Sequence, residues 1–418
     1  MRRIYVKGKA RLEGEVSISG SKNSALALLA ATLLFPGKTT LRNVPNLLDV
    51  KTMLRVLRAI GVRAEYSASQ LNTVDIWNED IRHVAPYELV TKMRASFFVI
   101  GPILARKGLA KVPLPGGCAI GSRPVNLHIK GLEALGAKVQ MEHGFVIVSA
   151  QKLVGGRVYL DFPSVGATET VMMAASLAEG ETLIENAARE PEVVDLANML
   201  IKAGAKISGA GTEEIKIEGV RQLKAVEYSV IPDRIEAGTY MVAAAITKGN
   251  VTLKNVIPDH VESIIRKLEE AGISLKVSAS EITVSVPDGI KPVDVKTMPY
   301  PGFPTDMQSP LAALLCLAGG TSVLTETVFE NRFIYVHELN RMGADIKLEG
   351  QSAIIHGVSK LSSAPVRVCD LRAGAALVVA ALAAEGETII EDRDHHLERG
   401  YDNITYKLKN LGADFKIV

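Results

Sequence analysis

Two kinds of apolar pattern alternate along the chain. In one, Val50, Met53, Leu54, Leu57 and Ile60 recur at helical spacing with polar residues between them, and Gly61 stands where a left-handed cap would end the helix. In the other, apolar residues run almost unbroken, as at 25–34 (ALALLAATLL) and 373–382 (AGAALVVAAL). A helix apolar on every face has to lie inside the protein. β-like segments at 63–66, 73–77 and 145–148 separate the helices. The pattern therefore predicts an α/β protein in which sheets wrap around buried helices.

The pattern repeats. Gly37, Gly108, Gly180, Gly249, Gly320 and Gly386 each open a short β-like segment, at intervals of 71, 72, 69, 71 and 66 residues. Gly61, Gly136, Gly204, Gly272, Gly343 and Gly412 follow amphipathic helices at intervals of 75, 68, 68, 71 and 69. Two independent markers share one period, and 418 residues accommodate six units of about 70. Because each unit mixes strands with a fully buried helix, a solenoid with one exposed face is not expected.

Composition narrows the function classes. At 47% hydrophobic residues the chain can bury a full core, which excludes disorder, and its length suits two to four domains of roughly 100–200 residues each. With 48 Lys+Arg against 46 Asp+Glu, a net charge of +2 gives no global support for nucleic-acid or anionic-membrane binding. Only 5% of residues are aromatic, which disfavours an RNA-stacking surface. Residues 1–8 lack an apolar signal segment. The uncharged run 307–325 is broken by Gln308, Ser309, Pro310, Gly319 and Gly320, so it reads as buried helix plus turn rather than a membrane span. Cys118, Cys316 and Cys369 are too few and too far apart for a disulfide framework or a CxxC metal site. The expectation is a cytoplasmic protein without metal or cofactor, with Cys316 in the core and Cys369 packed in a strand.

Chemistry concentrates where the buried helices begin. They are preceded by Ser21-Lys22-Asn23, Lys92-Met93-Arg94, Ser164-Val165-Gly166, Asp233-Arg234, Thr305-Asp306 and Asp370-Leu371-Arg372. A helix N-terminus favours an anion, so Lys or Arg there is locally unfavourable unless an anion binds. Ser21, Ser164 and Asp233 read equally well as ordinary caps. Lys22, Arg94, Arg234 and Arg372 do not, and as a set they point to anionic ligands. The loop 113–124 holds three prolines and three glycines, which excludes helix, and it places Cys118 near Arg123, a setting that favours the thiolate. Phosphate-loop, dinucleotide-fold, zinc-protease and nucleophile-elbow motifs are absent, and His395, His396 and Glu398 read as solvated loop residues.

Seven segments carry a resemblance: 20–24 (GSKNS), 115–128 (PGGCAIGSRPVNLH), 164–168 (SVGAT), 186–191 (NAAREP), 304–306 (PTD), 330–332 (ENR) and 399–401 (RGY). Spread over the whole chain, they make it similar to the enolpyruvyl transferase family, in particular to members that act on UDP-N-acetylglucosamine. The resemblance implies two inside-out, barrel-like α/β domains of three units each. Residues 22–230 would carry the Cys118 loop as a lid, residues 1–21 with 231–418 would form the second domain, and substrates would sit in the cleft. The implied reaction moves the enolpyruvyl group of phosphoenolpyruvate to the sugar 3′-hydroxyl with release of phosphate, opening peptidoglycan precursor synthesis.

By position, the resemblance makes Cys118 the proton donor, open to alkylation by fosfomycin, and Asp306 the acceptor of the hydroxyl proton. Lys22, Arg123 and Arg399 would hold the phosphate, Arg332 and Arg372 would neutralise the carboxylate, and Asn23 would contact both substrates. Arg94, Arg123, Pro124, Val125, Asn126, Leu127, Ser164, Val165, Gly166, Asp306 and Val328 would contact the nucleotide sugar. Asn126 stands where many members have Asp, and Phe162 where some have Lys. A monomer is expected. The competing readings are a shikimate-pathway enolpyruvyl transferase, which lacks the cysteine loop, and a non-catalytic repeat scaffold.

Overall fold

The structure, a computed structural model, describes residues 2–116, 125–286 and 289–418. Cys118, Arg123 and Pro124 therefore lie outside the described residues. The chain forms two compact units: a first of residues 20–116 and 125–231, and a second of residues 2–19, 232–286 and 289–418. Each has its own hydrophobic core.

In both units the unbroken apolar segments are interior helices. Lys22–Ala31, Val165–Ala175, Arg234–Ile246 and Leu371–Ala383 are buried along nearly their whole length. Each starts at a capped residue. Ser21 Oγ accepts from Ser24 N at 3.3 Å and Ser164 Oγ from Ala167 N at 3.4 Å. Asp233 Oδ1 accepts from Ile235 N and Glu236 N at 2.8 and 2.9 Å, and Asp370 Oδ1 from Arg372 N and Ala373 N at 2.8 and 3.1 Å.

The other two interior helices begin differently from the sequence expectation of equivalent starts. Ile100–Lys107 and Gln308–Leu315 are each preceded by a 3-10 turn, Arg94–Val99 and Thr305–Met307, without a side-chain cap. Pro102 and Pro310 are the reason. Proline fits the first helical turn, where its missing N–H has no partner to lose, but its ring clashes with an α-helical carbonyl four residues earlier. The α-helix thus starts just before each proline, and Arg94 and Asp306 sit on the tighter turn. The uncharged run 307–325 likewise holds more than helix and turn, since it ends in the strand Thr321–Thr325.

Five four-stranded sheets and one of three strands cover these helices among the described residues. In each, the strand at or just after a turn glycine is flanked the same way. Thr321–Thr325, for example, pairs antiparallel with Ser352–His356 on one side and parallel with Val295–Lys296 on the other. In the three-stranded sheet the parallel place is held by a single bridge, Val84 to Lys111. Along Glu181–Glu185 only Thr182 and Ile184 are buried, the period-two signature of a half-buried strand.

The chain start completes two sheets of the second unit. Arg3–Lys7 lies between Glu387–Glu391 and Asp414–Ile417, with Ile4 opposite Ile390 and Ile417. Glu13–Ser17 runs parallel to Asn250–Lys254. In the first unit the closing strand, Glu227–Ser229, runs parallel to Gly37–Arg42.

Candidate active site

In the second unit Asp306 meets two arginines. Arg332 Nη2 donates to Asp306 Oδ1 at 2.9 Å, while Arg372 donates to Oδ2 from Nε at 3.0 Å and from Nη2 at 2.9 Å. Both arginines are 2% exposed, whereas the Asp306 side chain is 25% exposed. Two guanidinium groups thus lie buried behind a carboxylate that faces outward. Burial opposes the charge on Arg372, but Tyr401, Asp306 and Asp233 outweigh it and hold the group above its ordinary pKa, so it stays cationic. Its guanidinium lies over the Tyr401 ring at 5.2 Å, and the Tyr401 hydroxyl is 3.0 Å from Thr239 Oγ1. Breaking such a buried set by removing one partner costs about 3–5 kcal/mol in general.

The remaining residues of this unit's set sit on neighbouring segments. Val328 is half-buried, and its N–H donates to Glu326 Oε1 at 2.7 Å. Arg399 is half-buried on the short helix His396–Gly400.

In the first unit Lys22 opens the Lys22–Ala31 helix, with Asn23 behind it. Lys22 Nζ is 3.9 Å from Asp49 Oδ2, in the first turn of Leu48–Ile60, where a carboxylate is favoured by the helix dipole. Arg94, Ser164, Val165 and Gly166 begin interior segments, and Val125, Asn126 and Leu127 begin Asn126–Ala134. These two groups meet through His128, a buried residue that the sequence reading quoted but gave no role. Its Nδ1 is 2.9 Å from Thr170 Oγ1, and its ring packs edge-on against Phe97 and stacked with Phe98. Gly166 is required here, since a Cβ would come within 2.9 Å of the Phe98 ring and 3.0 Å of the His128 ring.

On the same helix as Gly166, Glu169 is fully buried and neither carboxyl oxygen has a hydrogen-bond partner among the described residues. Burial, reinforced by Glu192 and Glu190, raises its pKa well above the usual carboxylate range. Cys316 is core, its thiol pushed up to about 12 by burial. Cys369 is partly buried just beyond the strand Pro365–Arg367, also pushed up to about 12 by burial first and Asp370 second.

Sequence reasoning missed Asp49, His128, Glu326 and Asp392. A signal for the last two existed: both stand six residues after a turn glycine, Gly320 and Gly386, where three of the other four units carry Asn and one carries Leu114.

Against known proteins, a sequence model of the family described as EPSP synthase (3-phosphoshikimate 1-carboxyvinyltransferase) matches residues 6–408. A UDP-N-acetylglucosamine 1-carboxyvinyltransferase 2 of Carboxydothermus hydrogenoformans is 54% identical, covering 100% of both chains. A UDP-N-acetylglucosamine 1-carboxyvinyltransferase 1 of Caldanaerobacter subterraneus is 55% identical over 98% of each. Among solved structures, the enolpyruvyl transferase NikO of Streptomyces tendae superimposes with a TM-score of 0.89 at 26% identity, covering 100% of this chain and 99% of its own. An EPSP synthase of Acinetobacter baumannii, 19% identical, shares the fold with a TM-score of 0.77 over 100% of both chains. The chain belongs to the enolpyruvyl (carboxyvinyl) transferase family. Within that family its full-length relatives at 54–55% identity bear the UDP-N-acetylglucosamine 1-carboxyvinyltransferase name.

Proposed function

We propose that the protein transfers the enolpyruvyl group of phosphoenolpyruvate to the 3′-hydroxyl of UDP-N-acetylglucosamine and releases phosphate, supplying the first committed step of peptidoglycan precursor synthesis. The observation that carries this reading is the outward-facing Asp306 carboxylate held by two buried arginines. In the reaction C3 of phosphoenolpyruvate takes a proton from Cys118. The sugar oxygen bonds C2 as its own proton passes to Asp306. Loss of phosphate, with return of a proton from C3, regenerates the vinyl group.

Asp306 is intrinsically a weak base, with an ordinary carboxylate pKa of about 3.9. Position rather than intrinsic strength therefore has to suit it to the task, and its carboxylate is fixed from both sides by Arg332 and Arg372. Arg332 and Arg372 serve the substrate carboxylate, and Lys22, Arg123 and Arg399 the phosphate. The planar guanidinium fork suits both anions. Asn23, Arg94, Pro124, Val125, Asn126, Leu127, Ser164, Val165, Gly166 and Val328 contact the substrates along the nucleotide sugar. The finer architecture that goes with this reading is two inside-out domains, each of three repeated units. One phosphate-release assay tests the function. Release with phosphoenolpyruvate and UDP-N-acetylglucosamine, and none with shikimate 3-phosphate, is the expected result; release only with the shikimate acceptor, or with neither, overturns it.

A further inference from the structure

Six residues after the turn glycine, three sheets carry the same device. Asn43, Asn186 and Asn255 adopt positive φ, and each donates from Nδ2 to a backbone carbonyl, of Val230, Leu160 and Ile18, at 2.9, 2.7 and 2.7 Å. In each case this ties the end of the central strand to the chain at its parallel neighbour. At the same position after Gly320 and Gly386 the residue is an acid, Glu326 or Asp392, buried at 3% and 0% exposure. An acid cannot donate that bond when ionised; it accepts, Glu326 from three segments and Asp392 from the turn that follows it.

Glu326 gathers four donors. Oε1 takes Thr297 Oγ1 at 2.8 Å, Val328 N at 2.7 Å and Phe329 N at 3.2 Å, while Oε2 takes Thr305 Oγ1 at 2.8 Å. Thr305 is the residue before Asp306. Phe329 leads directly into Arg332, whose N–H donates to the Phe329 carbonyl at 3.3 Å and whose guanidinium lies 5.7 Å from the Phe329 ring. One carboxylate therefore fixes both backbone segments whose side chains meet in the Asp306–Arg332 pair. Asp392 braces a single segment, that of another arginine: Oδ1 takes His396 N at 2.8 Å and Oδ2 takes Leu397 N at 3.1 Å, at the start of the helix that carries Arg399.

We propose that Glu326 and Asp392 are positioning residues, strand-end brackets converted to hydrogen-bond acceptors where the following loop must aim a reacting arginine or its carboxylate partner. Glu326 sets the Asp306–Arg332 contact and the Val328 amide; Asp392 sets Arg399. The proposal rests on the enolpyruvyl-transfer reading for its kinetic consequence, but its geometric content is independent of it.

The test compares Glu326→Ala, Glu326→Asp, Glu326→Gln and Asp392→Ala in the full chain, by steady-state phosphate release and by amide hydrogen exchange. Glu326→Ala is expected to lower kcat by about 10- to 100-fold, the effect of displacing a catalytic group by about 1 Å. It should also raise KM for the nucleotide sugar and speed exchange at the Val328 and Phe329 amides. Glu326→Asp keeps the charge but is one methylene too short to reach both segments, and should behave alike; it carries the test if the Ala variant does not fold. Glu326→Gln keeps the Oε1 acceptor and can place its amide against the Thr305 hydroxyl, so it should recover both constants. Asp392→Ala should raise KM for phosphoenolpyruvate. A lowered melting temperature with unchanged kcat and KM overturns the proposal, as does a Gln variant no better than Ala. If the wild type releases no phosphate, the functional reading fails by itself, and unchanged exchange at Val328 and Phe329 in the Ala or Asp variant then overturns the positioning role.

Discussion

Reactivity at the scale of single residues is set here by burial. The chain has three cysteines, and burial pushes the thiols of Cys316 and Cys369 up to about 12. At neutral pH neither is appreciably a thiolate, the form that attacks electrophiles. Fosfomycin should therefore add once per chain, at Cys118, and not at all in Cys118→Asp; intact-protein mass measurement reads this directly, and an adduct persisting in the variant refutes it.

Glu236 provides a pH test. It is buried and accepts from Lys407 Nζ at 2.6 Å and Ser19 N at 2.7 Å. Lys407 also donates to Ser19 Oγ, which in turn reaches Asp402. Burial wins over Lys407, with Asp233 adding to it, and the Glu236 pKa is pushed from its ordinary 4.5 up to about 7. The folded protein then holds this proton more tightly than the unfolded chain. Its contribution to stability is full below the ordinary value and is lost as pH rises through about 7. Melting temperatures of the wild type relative to Glu236→Gln should fall as pH rises through this window and level off above it. A difference that grows with pH would contradict the assignment.

Single elements were legible in the chain wherever a local rule decided them. Gly61 does end Leu48–Ile60 in a left-handed conformation, and Ser21, Ser164 and Asp233 do cap interior helices, because these depend only on neighbouring residues. The late α-starts after Arg94 and Asp306 were legible in principle from Pro102 and Pro310. The contact that makes Gly166 necessary was not, since Phe98 and His128 arrive from other elements. Gly166→Ala is expected to cost about 1–3 kcal/mol by overpacking. It should also raise KM for the nucleotide sugar, by shifting the start of the Val165–Ala175 helix. Denaturant unfolding and steady-state kinetics check the two parts; an unchanged unfolding midpoint would mean that the aromatic pair yields freely.

For the whole molecule the decisive fact is where the first nineteen residues go. Arg3–Lys7 is an inner strand of its sheet, hydrogen-bonded on both sides, and Ile4 and Val6 are fully buried. Deleting residues 1–8 would leave two strand edges without partners and open the core beneath them. The truncated protein should lose cooperative thermal unfolding, followed by circular dichroism, and aggregate through the bared edges. A soluble variant with a wild-type melting profile would show that the strand is dispensable.

Among the described residues no helix is long and apolar enough to cross a membrane. The near-zero net charge argued only against polyanionic partners, and it concealed local concentrations of charge such as the buried Arg332 and Arg372.

By itself the sequence determined what is periodic or local: alternating apolar patterns, a recurring strand after each turn glycine, interior helices and most of their caps. Those features arise from the φ/ψ preferences and hydrophobicity of residues a few positions apart. Only the tertiary structure decided that Asp306, Arg332 and Arg372 touch, that Glu326 braces two of them, and that the chain start belongs with its end. Each of these joins residues far apart in sequence. Strand pairing and buried charge pairing are contacts in space, and the chain spells out their participants without spelling out which of them meet.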